Sequence, residues 1–129
     1  MCKISKQLFE EKFHYLFEIH SSTDIKLDGY EILELLNSQG DVFKYDIISN
    51  KFDDINDELE QYYNGRKIDV ILFNFFSDMK ESDDIYMRYG LFEKLIQNIM
   101  DDETSAMWCS TNQQYNTKNK FVEVFVSYK

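Results

Sequence analysis

Asp54, Asp57 and Glu58 are the residues whose types and spacing most invite a chemical reading. On a helix they project within about 100° of one another, and carboxylates three and four apart lie roughly 5–6 Å from each other. Ile55, Leu59, Tyr62 and Tyr63 project the opposite way, so the acids form a strip facing water. Such a strip makes and breaks no bonds by itself; its chemistry is to attract a cation or a cationic surface. Like charges so placed weaken the isolated helix slightly. The positive end of the helix dipole accounts for Asp53 and Asp54, but less well for Glu58 and Glu60. Asp53, Asp54, Asp57, Glu58, Glu60 and Tyr62 are therefore the expected partner-binding residues. Asp101 and Asp102 join them, because they end a later helix where the dipole disfavours acids.

The remaining constellations point away from catalysis. Glu10, His14 and Glu18 recur at i, i+4 and i+8, a spacing that can ligate a divalent metal. The outer two stand two turns apart with no further strong ligand nearby, and no metal site is expected. Cys109 sits beside Trp108 on a predicted strand, with no helix N-terminus to activate it, so a buried structural thiol is expected. Its potential bases are only His14 and His20. Arg88, one of two arginines, falls inside an apolar helical stripe and must find a carboxylate or several carbonyls there. Asp83 and Asp84 follow Ser82 at a helix start, where the dipole is reason enough for them. The four glycines never cluster, which removes phosphate-loop and dinucleotide fingerprints, and no cofactor is expected.

Positioning these residues falls to a predictable set of elements. Ser5 to His20 reads as an amphipathic helix with Phe9, Phe13, Leu16 and Phe17 on one arc. Asp28 and Glu31 form a capping box for a short helix through Asn37. Val42 to Ile48 is a predicted strand, Asp54 to Tyr63 a helix closed by Asn64-Gly65, and Lys67 to Phe76 the strongest strand. That strand is apolar on both faces after Asp69, which predicts a central position. Ser82 opens the longest helix, running to about Met100, with Ile85, Tyr89, Phe92, Leu95, Ile96 and Ile99 as its stripe. Ala106 to Tyr115 and Phe121 to Tyr128 complete the order as two strands joined by Asn116 to Asn119. On the last strand Val122, Val124, Val126 and Tyr128 share one face, and Phe121 and Phe125 the other. The expected fold is a single domain over residues 1–129, on the border of α/β and α+β. It has a mixed four-stranded sheet, a right-handed parallel crossover, a C-terminal antiparallel hairpin and about four helices.

Charge sets the class of partner. The chain of 129 residues carries a net −10. Between Asp24 and Asn64, eleven carboxylates face three lysines, a local balance of −8. A surface of that sign attracts basic proteins and repels nucleic acid and anionic membranes. The C-terminal lysines Lys118, Lys120 and Lys129 are too sparse to reverse it. The start leads into charged residues without an apolar stretch of signal-peptide length, and no run is long enough to cross a bilayer, so a cytoplasmic location is expected. Cys2 and Cys109 are too few for a disulfide scaffold.

These features describe a non-enzymatic acidic binding protein that neutralises a basic partner, as monomer or homodimer. In size, acidity and lack of catalytic machinery the chain resembles the immunity proteins of bacterial toxin systems, those for nuclease-type and contact-dependent toxins included. That likeness is one of general character over the whole chain and carries no diagnostic motif. It implies an antitoxin whose anionic surface competes for a nuclease's basic groove. A chaperone of a secreted effector and a phage-type inhibitor of a host nucleic-acid-binding enzyme share the same physics. A small hydrolase using Arg88 with nearby carboxylates is the contrasting class. The polar segment Ser110 to Lys120 is a further candidate for strand addition to a partner.

Overall fold

The computed structural model describes residues 2–4, 41–77, 82–99, 103–112 and 119–129. The expected helices at 5–20 and 28–37 lie outside these residues, as do Asp101, Asp102 and the segment 113–118. The described elements are β1 (Cys2–Ile4), β2 (Val42–Ile47), α1 (Phe52–Tyr63), β3 (Ile68–Ser77), α2 (Ser82–Ile99), β4 (Ser105–Asn112) and β5 (Val122–Tyr128). The four expected strands lie in one mixed sheet, and the short β1 adds a fifth, in the order β1-β2-β5-β3-β4.

The sheet corrects the expected hairpin. β4 and β5 are not neighbours: β3 lies between them, parallel to β4 and antiparallel to β5. The reason is legible in the burial of β5, which is complete along Val-Glu-Val-Phe-Val-Ser-Tyr. A strand covered on both faces takes an interior position, with neighbours on both edges, and β5 pairs with β2 as well as β3. The insertion also splits the first crossover. β2 and β3 run parallel through α1 but are separated by β5, whereas β3 and β4 are joined through α2 as direct parallel neighbours. β3 has neighbours on both sides, as its two apolar faces require.

α1 begins two residues before its expected start, because Phe52 packs against the core. Its entry is anchored by Ser49, whose Oγ accepts from the Lys51 amide at 3.2 Å and donates to Asp54 at 2.6 Å. Its exit is the expected one. Asn64 adopts the left-handed conformation at φ 42° and returns its N–H to the Glu60 carbonyl, and Gly65 follows at φ 78°. Both positions need a backbone that β-branched residues avoid.

The principal core lies on one face of the sheet, under both helices. Ile55, Leu59 and Tyr63 of α1 and Phe92 and Leu95 of α2 meet Tyr45, Ile47, Ile71, Phe73, Phe75, Val122, Val124 and Val126 there. Aromatic pairs thread it: Phe73 meets Phe92 edge-on at 5.7 Å and Phe75 meets Trp108 at 6.3 Å. Each such pair contributes about 0.5–1.5 kcal/mol beyond its buried area. Phe121 belongs to this cluster as well, 5.7 Å from Phe75, and not to the opposite face. It precedes β5 at a bend, so the alternation of the strand does not govern it. Tyr89 is a second correction to the expected stripe. It is 44% exposed and leans on Trp108 from outside the core. Among the described residues no helix is long and apolar enough to cross a membrane.

Candidate functional site

α1 turns Ile55, Leu59 and Tyr63 inward, which leaves Asp53, Asp54, Asp57 and Glu60 exposed on its outer side. Glu58 is half-buried at the edge of the strip, and its Oε2 is withdrawn from solvent without a hydrogen-bond donor. Tyr62, also half-buried, lies flat on Tyr45 of β2, with ring centroids 4.2 Å apart and planes 11° from parallel. Burial, then the charge of Glu58, holds its phenol above the ordinary value, so Tyr62 offers the strip a neutral ring. Most of that ring's contact is nonetheless with the sheet.

Hydrogen bonds orient the strip without neutralising it. Asn56 donates to Glu60 at 3.2 Å and accepts from Asn98 of α2 at 3.2 Å, which ties the two helices together across their outer surface. Among the described residues no lysine or arginine forms an ion pair with Asp53, Asp54, Asp57, Glu58 or Glu60. Five negative charges therefore stand within three helical turns with their field directed outward. Chemically, such a surface accelerates the approach of a cationic macromolecule and offers acceptors to its guanidinium and ammonium groups.

A second set of polar residues, not anticipated from the sequence, occupies the other face of the sheet. Glu123 is 1% exposed and takes Lys120 at 2.6 Å and Lys44 at 2.9 Å. Both lysines also reach Asp46, at 3.3 and 3.4 Å, so two acids and two bases balance. Asn74 donates to Glu123 at 3.1 Å and accepts from Thr111 at 2.7 Å and from the Cys109 thiol at 3.2 Å. Burial works against the Lys44 ammonium, but the hydrogen bond and charge of Glu123 outweigh it, and its net pKa is raised. The signal that could have revealed this network is one polar residue inside each apolar run: Asn74 in ILFNFF and Glu123 in VEVFV. An unpartnered polar group in such a position is costly, so it announces a partner.

The other expected placements are mixed. Cys109 is buried and structural in setting, as expected. Arg88 is buried; its Nε donates to the Phe76 carbonyl at 2.9 Å and its guanidinium lies 4.9 Å over the Phe121 ring. That geometry fastens α2 to the end of β3. Asp101 and Asp102 lie outside the described residues, as do Glu10, His14, Glu18 and His20. The neighbouring Glu103 is exposed and bonded to Lys129 at 2.6 Å. Among the described residues no group of three His, Cys, Asp or Glu side chains could hold a metal ion. A scan against protein-family models and a search of curated proteins both return no match, so the functional reading rests on this geometry.

Proposed function

We propose that this chain is a non-enzymatic acidic binding protein that neutralises a basic protein partner through the outer face of α1. The observation that carries the reading is the run of five carboxylates on α1 that have no ion-pair partner among the described residues. Two acids of the described sheet, Asp46 and Glu123, are by contrast matched by Lys44 and Lys120. Electrostatic complementarity of this kind raises association rates and selects partners by sign. The form that fits best is an immunity-type antitoxin acting in the bacterial cytoplasm, with a nuclease-like toxin domain as partner. Such a toxin must present a cationic groove to nucleic acid, and an anionic helix competes for the same field.

The test is co-purification at low salt from cells that express this chain, with the captured protein then made and studied in isolation. The expected partner is basic, toxic alone and tolerated when this chain is present, and the association slows as salt rises. The charge-reversed variant carrying Asp54→Lys, Asp57→Lys and Glu58→Lys binds it poorly. An acidic or neutral partner, or a triple variant that binds as the native protein does, overturns the reading. An effector chaperone instead predicts a secreted neighbour whose loss leaves the host unharmed.

A further inference from the structure

The two ends of the sheet are built differently. At one end, β1 is only three residues long, which limits it as a template for pairing. At the other, β4 runs for eight residues, Ser105–Asn112, and contains no charged residue and no proline, in a chain that is 29% charged. Its register with β3 is unbroken from Val70–Ser105 to Ser77–Asn112, so no bulge twists it away. Proteins ordinarily protect a long terminal strand with lysine, proline, a bulge or a short length. None of these devices is present here. Ser105, Ala106 and Trp108 are half-exposed, and among the described residues β4 has a neighbouring strand on one side only.

A second observation falls at the same place. Tyr86 is 75% exposed and Tyr89 44%, one helical turn apart on α2, and Tyr89 lies 5.6 Å from Trp108. Tyr89 flanks Trp108 and extends the apolar character of β4 above the sheet, and Tyr86 stands exposed one turn nearer the start of α2. The unpaired acids lie elsewhere. α1 covers the β2 and β5 side, with Tyr62 on Tyr45 and Tyr63 on Tyr128, while α2 packs over β3 and β4. β4 itself therefore brings no charge to a junction, even in a chain of net −10, and the exposed Glu93 stands on α2 bonded to Tyr89.

We propose that the Ser105–Trp108 half of β4 pairs antiparallel with the same segment of a second copy of this chain, across a twofold axis. The two sheets then become one continuous sheet, with Tyr86 and Tyr89 of each copy packing over the seam. A second copy fits better than a foreign strand for two reasons. An antiparallel edge is complementary to itself under twofold symmetry. An uncharged edge also lacks the electrostatic selector that would single out another chain, whereas α1 has one. This inference is independent of the function proposed above, which uses the opposite half of the molecule.

The test is sedimentation equilibrium of the full chain over a concentration series reaching about 100 µM, since dimer content follows mass action. The expected mass is twice that of one 15.6 kDa chain. The double variant Ser105→Lys, Tyr86→Lys places cations at the seam on residues that touch solvent. It is expected to raise the dissociation constant by about tenfold or more, with an unchanged circular dichroism spectrum. Amide exchange on the native protein provides a readout that needs no variant: alternate amides of Ser105–Trp108 gain protection with concentration. A native chain of single mass throughout the series overturns the proposal. So does a folded double variant that dimerises as before, or exchange at this segment that ignores concentration.

Discussion

The carboxylates of α1 and the carboxylates of the sheet's second face occupy opposite physical regimes within one small protein. Glu123 is buried, and two lysines, Lys44 and Lys120, surround it together with Asn74. Removing a charge from water is costly, and here the cost is met by ion pairs and hydrogen bonds to both carboxylate oxygens. Asp53, Asp54, Asp57 and Glu60 of α1 stay in water, where each is cheap to keep but the group repels itself, and only Glu58 is partly withdrawn. One set is bound to the fold and indifferent to the surroundings; the other does little for the fold and projects its field outward. The difference shows that net charge alone does not locate an interface. The proposed function rests on where the fold gathers unmatched charges on one face, as on α1.

The largest expected effect lies in the matched set. Glu123→Ala leaves Lys44 and Lys120 with Asp46 as their acid among the described residues, and urea unfolding should report a loss of about 3–5 kcal/mol. A loss below about 1 kcal/mol would mean the pairs are worth no more than surface ion pairs, and the contrast would fail. Next comes the triple reversal Asp54→Lys, Asp57→Lys, Glu58→Lys. It should slow association with the basic partner by about tenfold to a hundredfold and flatten its salt dependence. Stopped-flow measurements at two ionic strengths read both quantities.

A smaller effect is expected in alkali. Burial raises the Tyr63 and Tyr128 phenols, and Glu123 raises the Lys44 ammonium against burial, so the folded protein holds these protons more tightly than the unfolded chain. Their stabilisation is complete below the ordinary values near pH 10 and declines as pH rises above them toward the folded ones. The urea midpoint should therefore fall as pH rises above about 10, and a midpoint that stays flat there would contradict the assignment. The least effect belongs to Asp57→Ala, which should change stability by no more than about 0.5 kcal/mol. A larger loss would show that the strip on α1 is part of the folding energetics after all.

Much of the candidate site was legible because a helix is a local structure. Asp53 to Glu60 and the inward set Ile55, Leu59 and Tyr63 follow from a period of 3.6, and Asn64-Gly65 marks the exit by its backbone preferences. The half-burial of Glu58 and the stacking of Tyr62 on Tyr45 were not legible, since they depend on which strand α1 crosses. The expected hairpin failed for the same reason. Adjacency in sequence favours pairing Ser105–Asn112 with Val122–Tyr128, but β5 is buried on both faces, its Glu123 satisfied by Lys44, Lys120 and Asn74, and it takes the interior beside β3. Lys44, Asn74, Lys120 and Glu123 are far apart along the chain or on different strands, and no pattern in one segment announces the others.

The sequence by itself determined which segments alternate as strands, where α1 turns its acids outward and how strongly negative the molecule is. Those properties arise from side-chain periodicity and composition, which need no distant contact. Only the tertiary structure decided the strand order, the matching of Glu123 and Asp46 by two lysines, and the place of β4 at one end of the described sheet. Pairing between strands is a choice among non-local partners, settled by burial across the whole sheet, and it is this choice that sorts acids of the same chemistry into matched and unmatched sets.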